Sequence, residues 1–322
     1  MTQTPYLDRN LTIEAVRVTE AAAIAAAELM GRGDERAADQ AAVDAMRTAL
    51  NSLHIDGTVV IGEGERDEAP MLYIGETVGT GQGPKVDIAL DPLEGTTITA
   101  KGLPNALAVL ALAEGGCLLH APDVYMDKIA AGPEVPAGVL DLDKSTTENI
   151  NDLAKALGKP TTDVVACILD RPRHAQIIAE ARECGARIIL IGDGDVAGVM
   201  ATAMPETGVD IYIGQGGAPE GVLAAAALRC IGGRIQARLV FRNDDERSRA
   251  ARVGITDLDR KYELEELASG DVIFAATGVT DGNMVHGVKR TTTSITTESV
   301  AMRSRTGTVR WIRMQHPIDR TE

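Results

Sequence analysis

The chain has 322 residues, enough for two domains of ordinary size or one large one. Its formal net charge of −15 argues against broad nucleic-acid binding and against adhesion to anionic membranes. Aromatics make up 2% and apolar residues 44%, so a core must be built from Ala, Val, Ile, Leu and Met.

Residues 11–30 are rich in Ala, Glu, Leu and Met, without Pro or Gly, and predict a helix ending at Gly31. Asp34 stands at an N-cap position before a second helix over Glu35–Leu50. Gly57–Ile61 predicts a short buried strand, Met71–Gly75 another, and Val86–Leu90 a third that runs into Asp91-Pro92. Asn105–Ala113 suits a core strand, although periodicity does not exclude a helix. A Gly- and Pro-rich stretch at 132–138 and Gly158-Lys159-Pro160 place a domain boundary near residue 160. Beyond it, strands (Val164–Leu169, Arg187–Ile191, Val209–Ile213) alternate with helices (Ala175–Cys184, Val196–Met204, Glu220–Cys230). That alternation predicts a layered α/β domain with ligands at the carboxyl ends of its strands.

Cys117, Cys167, Cys184 and Cys230 lack any CxxC spacing and are expected as reduced, buried thiols. The polar start MTQTPYLDRN carries no signal-peptide pattern. The longest apolar run, Ala106 to Ala113, falls short of the ~20 residues a membrane span needs. A cytoplasmic location is the default.

Carboxylates cluster where strands end. In Asp91-Pro92-Leu93-Glu94-Gly95-Thr96, one turn can aim Asp91 and Glu94 at a single point, with the Thr96 hydroxyl beside them. Hard cations such as Mg²⁺ and Mn²⁺ take oxygen ligands of this kind. The same residues also read as a capped turn before a helix. Glu63, Glu65, Asp67 and Glu68 crowd a loop after the first strand, as ligands or as a solvated face. Asp39 lies among alanines on the second helix and faces either solvent or a cleft. Glu220 in GQGGAPEG complements a helix start or completes a metal site, and the glycines could admit a ligand close to the backbone. Asp193-Gly194-Asp195 could bond sugar hydroxyls or cap a helix. Arg171-Pro172-Arg173 offers guanidinium forks that match phosphate, and Tyr125 offers a hydroxyl.

These residues resemble a known family. DPLEGT is similar to the metal-binding signature of the lithium-sensitive phosphatase superfamily, which includes inositol monophosphatases and fructose bisphosphatases. In order along the chain, GRGD, IDGTVVIGEGERDEAPMLYIGE, DPLEGT, APDVYMDK, PRH, DGD and GGAPEG resemble class II (GlpX-type) fructose-1,6-bisphosphatases, over residues 8–317. Glu35, Arg171 and Gln215 depart from the family pattern.

The resemblance implies an αβαβα sandwich: residues 1–160 a metal-binding phosphatase domain, 161–322 an α/β substrate domain, and an active site between them. It implies hydrolysis of the 1-phosphate of fructose 1,6-bisphosphate with Mn²⁺ or Mg²⁺, in gluconeogenesis or carbon fixation, by a homodimer or homotetramer. Asp39 and Glu63 would hold one cation, and Asp91, Glu94 and Glu220 another. Glu94, Gly95, Thr96, Tyr125, Arg171–Pro172–Arg173, Asp193–Gly194–Asp195 and Gly217 would contact substrate. Thr96, oriented by Asp39, would take or relay the attacking water's proton. Alternatives are sedoheptulose-1,7-bisphosphatase activity, alone or alongside, an inositol- or nucleotide-phosphate phosphatase, and a non-catalytic sugar-phosphate-binding module.

Overall fold

A computed structural model describes residues 10–64 and 71–318. The chain divides into two compact units, Met1–Leu118 with Gly270–Glu322, and Leu119–Ser269.

The first unit opens with helix α1 (Leu11–Ala27) and helix α2 (Glu35–Leu50). Asp34 caps α2 by accepting from the Ala37 amide at 3.0 Å, as its position before the helix predicts. Then come β1 (Asp56–Ile61), β2 (Thr77–Val78), β3 (Lys85–Glu94), α3 (Thr96–Lys101) and β4 (Leu107–Glu114). The chain returns at the end with β11 (Val272–Gly278), β12 (Lys289–Arg290), β13 (Ser294–Arg303) and β14 (Thr308–Pro317). These strands form one eight-stranded sheet in the order β12-β13-β11-β4-β3-β1-β2, with β14 paired to β13. β1 and β3 run parallel, and the other pairs antiparallel. Helix α1 packs on β11, β13 and β4, and its alanines and valines (Ala15, Val18, Ala22, Ala26) bury fully against the sheet. Small side chains let the helix sit close, which is how a core nearly without aromatics fills its space.

The second unit holds β5 (Tyr125–Ala131), α4 (Thr146–Ala156), β6 (Val165–Leu169), α5 (Ala175–Glu183), β7 (Arg187–Ile191) and α6 (Asp195–Ala201). It continues with β8 (Ile211–Gly217), α7 (Ala218–Ile231), β9 (Arg234–Val240), α8 (Asp244–Arg252), β10 (Lys261–Glu263) and α9 (Leu264–Leu267). Its six-stranded sheet has the order β10-β9-β5-β8-β6-β7, with β6 parallel to both β7 and β8. Side chains alternate across the sheet. Ala166, Ile168, Ile211 and Ile213 join the core made with α4 and α5, while Cys167 and Tyr212 lie beside Gly198 of α6. Two sheets covered by helices make the layered α/β class expected.

The boundary expected near residue 160 falls inside the second unit. β5 bonds to both β8 and β9, which draws residues from 119 onward into the second sheet. β11 bonds to β4, which returns the last segment to the first. The Gly/Pro-rich stretch at 132–138 and Pro160 mark loops within a unit.

Three local expectations also change. β3 does not stop at Asp91. It passes through Pro92 by a register shift between Asp91 and Glu94, where a residue lacking an amide proton is tolerated. β8 likewise runs on through the glycines to Gly217. Met71–Gly75 forms turns, with Leu72 at φ 55 and its backbone tied to Glu63 and Glu76. Cys167 and Cys230 are buried, and Cys117 and Cys184 half-buried. No helix among the described residues is long and apolar enough to cross a membrane.

Candidate active site

In the first unit the parallel register of β1 on β3 pairs Ile61 with Ala89. Glu63 and Asp91 each lie two residues further on, so both carboxylates arrive at the same end of the sheet. Gly62 precedes Glu63 because a Cβ there would overlap the Leu72 carbonyl. The Glu63 amide donates to that carbonyl at 3.0 Å. The Leu72 amide in turn donates to Glu76, which also takes Arg47 of α2 at 2.7 Å. The loop carrying Glu63 is thereby anchored to α2.

At the β3 bulge, the Leu93 amide donates to Asp91 Oδ1 at 3.0 Å, a local turn that fixes that carboxylate. Glu94 is buried. Gly95, at φ 100, turns the chain into α3. A Cβ there would meet Ile98 at 2.7 Å. Thr96 opens α3 half-exposed, and Thr99 ties back to the Gly95 carbonyl at 3.0 Å. Helix α2 packs on α3 and β3, and the amides of Gly31 and Gly33, just before α2, donate to Thr99 and Ala100 at 2.9 Å. Asp39 therefore rides on a helix pinned to the element that carries Thr96. Burial raises its carboxyl above the ordinary carboxylate range.

In the second unit β6, β7 and β8 point the same way, so Arg171 and Asp193–Asp195, which follow β6 and β7, and Gly217, the last residue of β8, come at the same end of the sheet. Arg171 lies 3.6 Å from Asp193. Arg173 donates through Nε and Nη2 to the Gln215 carbonyl at 3.1 and 2.8 Å. Tyr125 starts β5, opposite Gly217 on one side and Val240 on the other. Pro172 begins the short turn between Arg171 and α5. Gly194, at φ 82, swings the chain into α6 so that Asp195 is buried at its first position.

Three residues to which no sequence motif gives a role organise this second set. Lys128, fully buried on β5, bonds to Asp195 Oδ2 and donates to the Gly217 carbonyl at 2.9 Å. Its signal is a lysine leading into the apolar end of a strand, KIAA. His174 is buried. Its Nδ1 lies 2.8 Å from the Leu169 carbonyl, and its Nε2 accepts the Gln215 amide at 2.8 Å. Burial lowers its basicity, and those two bonds suit the neutral ring protonated at Nδ1. Arg242 lies over the Tyr125 ring, 4.7 Å from its centre.

The glycines of β8 have a specific cause. A Cβ on Gly216 would overlap Asp195 Oδ2, and one on Gly217 would overlap Glu220 Oε2. They admit the protein's own carboxylates to the strand's surface. Glu220 Oε2 is buried and accepts no hydrogen bond among the described residues. Burial, then Asp195, pushes the Glu220 carboxyl up to about 7, against the opposing pull of Lys128.

Among the described residues, no three carboxylate, imidazole or thiolate groups converge closely enough to hold one ion. Glu65, Asp67 and Glu68 lie outside the described residues. The donor chemistry nevertheless suits a hard divalent cation. All the candidate groups are oxygen ligands. Asp39 and Glu220 are acids held unfavourably by burial, and a bound cation relieves that cost.

The model of the family described as "Bacterial fructose-1,6-bisphosphatase, glpX-encoded" matches residues 9–316. The chain is 47% identical over 328 residues to "Fructose-1,6-bisphosphatase 1 class 2" of Escherichia coli strain K12, covering 98% of this chain and 97% of that protein. The same identity and coverage hold for "Fructose-1,6-bisphosphatase class 2" of Shigella flexneri. With a match that runs through both units and every segment described above, the chain belongs to the bacterial, glpX-encoded fructose-1,6-bisphosphatase family.

Proposed function

We propose that this chain hydrolyses the 1-phosphate of fructose 1,6-bisphosphate to fructose 6-phosphate and phosphate, with Mn²⁺ or Mg²⁺ as cofactor. The observation that carries the reading is the 47% identity over 98% of the chain to a class 2 fructose-1,6-bisphosphatase. Asp39, Glu63, Asp91 and Glu94 supply ligands in the first unit and Glu220 in the second. When bound, divalent cations acidify the attacking water and neutralise charge on the phosphoryl group.

The chain's own residues do the rest. Thr96 Oγ1 takes a proton from the attacking water and passes its own to Asp39. The water oxygen forms its bond to phosphorus as the bond from phosphorus to the sugar oxygen breaks, and that oxygen leaves with a proton from solvent. Glu94, Gly95 and Thr96 line the reacting phosphate. Tyr125, Arg171 and Arg173, with Pro172 fixing the turn between the two arginines, take the distal phosphate. Asp193, Gly194, Asp195 and Gly217 take the sugar.

The reading is tested by phosphate release from fructose 1,6-bisphosphate, sedoheptulose 1,7-bisphosphate, inositol 1-phosphate and a nucleotide, with Mn²⁺, with Mg²⁺ and with chelator. Release is expected to be fastest from fructose 1,6-bisphosphate, lost on chelation and restored by metal. Turnover confined to the inositol phosphate or the nucleotide would refute it. A homodimer or homotetramer in the cytoplasm completes the proposal, and light scattering in solution decides the assembly.

A further inference from the structure

Arg242 follows β9 and precedes α8, in a segment to which neither the motifs nor the family resemblance gave a role. Its guanidinium lies 4.7 Å from the centre of the Tyr125 ring, and that of Arg173 lies 4.9 Å from the same ring. A guanidinium at this range is held by the ring's quadrupole and keeps its donor edge free for an anion.

Both arginines are fixed through the same half of the fork. Arg173 spends Nε and Nη2 on the Gln215 carbonyl. Arg242 spends Nε and Nη2 on Glu246 Oε1, at 2.6 and 2.5 Å. Glu246 is itself only 1% exposed and also accepts the Arg242 amide at 2.6 Å, so the arm is braced at both ends. In each case Nη1 has no partner among the described residues and remains for a ligand. The Arg242 side chain is 55% exposed, which leaves that edge reachable from solvent. Strand register explains the meeting. Tyr125 sits between Gly217 of β8 and Val240 of β9, so chain leaving β9 passes the ring on the side away from β8.

We propose that Arg242 is a phosphate-recognition residue that, with Arg173 and the Tyr125 hydroxyl, grips the substrate phosphate that is not hydrolysed. This rests on the proposed bisphosphatase reading and adds a residue that selects for a second phosphate. Two forks braced on one aromatic ring suit a phosphate dianion better than a neutral hydroxyl.

The test compares wild type with Arg242→Gln and Arg242→Lys, each checked for its melting temperature. For Arg242→Gln, KM for fructose 1,6-bisphosphate rises about tenfold or more with kcat within about twofold, as loss of uniform binding requires. For Arg242→Lys, which keeps charge but loses the planar fork, the rise is smaller. With p-nitrophenyl phosphate, which lacks a second phosphate, kcat/KM stays unchanged. Titration calorimetry with fructose 6-phosphate shows a parallel loss of affinity. Equal losses on both substrates, or an unchanged KM and fructose 6-phosphate affinity, overturn the proposal. If the wild type does not hydrolyse fructose 1,6-bisphosphate, the bisphosphatase reading fails, and the calorimetry still reports on Arg242 separately.

Discussion

Gly217 and Glu220 are coupled through space. Gly217 has an ordinary extended backbone (φ −65, ψ 145), so alanine costs nothing there in main-chain strain, yet its methyl group would occupy the place of Glu220 Oε2. Gly217→Ala should therefore keep its melting temperature within a few degrees while the Mn²⁺ concentration for half-activation rises roughly tenfold, in line with lost ligand support. An unchanged activation curve would remove Glu220 from the metal site. Thr96 carries a different expectation. It opens α3 half-exposed, away from the packed core, so Thr96→Ala should fold normally. Its kcat should fall by about 10²–10⁴ with KM changed only a few-fold, measured under saturating metal. The candidate ligand and phosphate-binding residues stand out in the sequence because most of these Asp, Glu, Thr and Arg residues follow strands. Lys128 and His174 do not, because Lys128 holds the Gly217 carbonyl and Asp195, and His174 the Gln215 amide, across long chain separations. Such support is a property of strand order, which local spacing does not encode.

At the level of elements, helix starts followed from local chemistry. Asp34 both begins α2 and caps it, and the predicted span Glu35–Leu50 is the observed one. Asp34→Ala should lower stability by about 1 kcal/mol, read as a fall in the denaturant midpoint at constant m-value. Strand ends were less legible. Pro92 and the β8 glycines are strand breakers by propensity, and local pattern alone ends both strands there. Pairing overrides that preference, since β3 has a partner on each side and a bulge absorbs the proline. β8 keeps its glycines in the ladder because carboxylates fill the space that side chains would take. The turn at Met71–Gly75 failed in the opposite sense. Its apolar residues resemble a strand, but Leu72 is buried as a plug in a positive-φ turn.

Over the whole molecule, the chain order of the two units matters more than their sizes. The second is one uninterrupted stretch, Leu119–Ser269, inserted between two stretches of the first. A fragment of 119–269 holds all six strands of its sheet and should unfold in one cooperative thermal transition. A fragment of 1–118 lacks β11, so it leaves β4 with a bare edge, and it should show no such transition. Circular dichroism melts of both fragments decide the matter. The same arrangement bears on synthesis at the ribosome. The middle of the polypeptide can reach its native state while the opening third still waits for the final 53 residues, Gly270–Glu322. Until those arrive, a strand as apolar as LAVLALA stays without its neighbour, which makes the nascent chain's interval of greatest need for chaperone protection a late one.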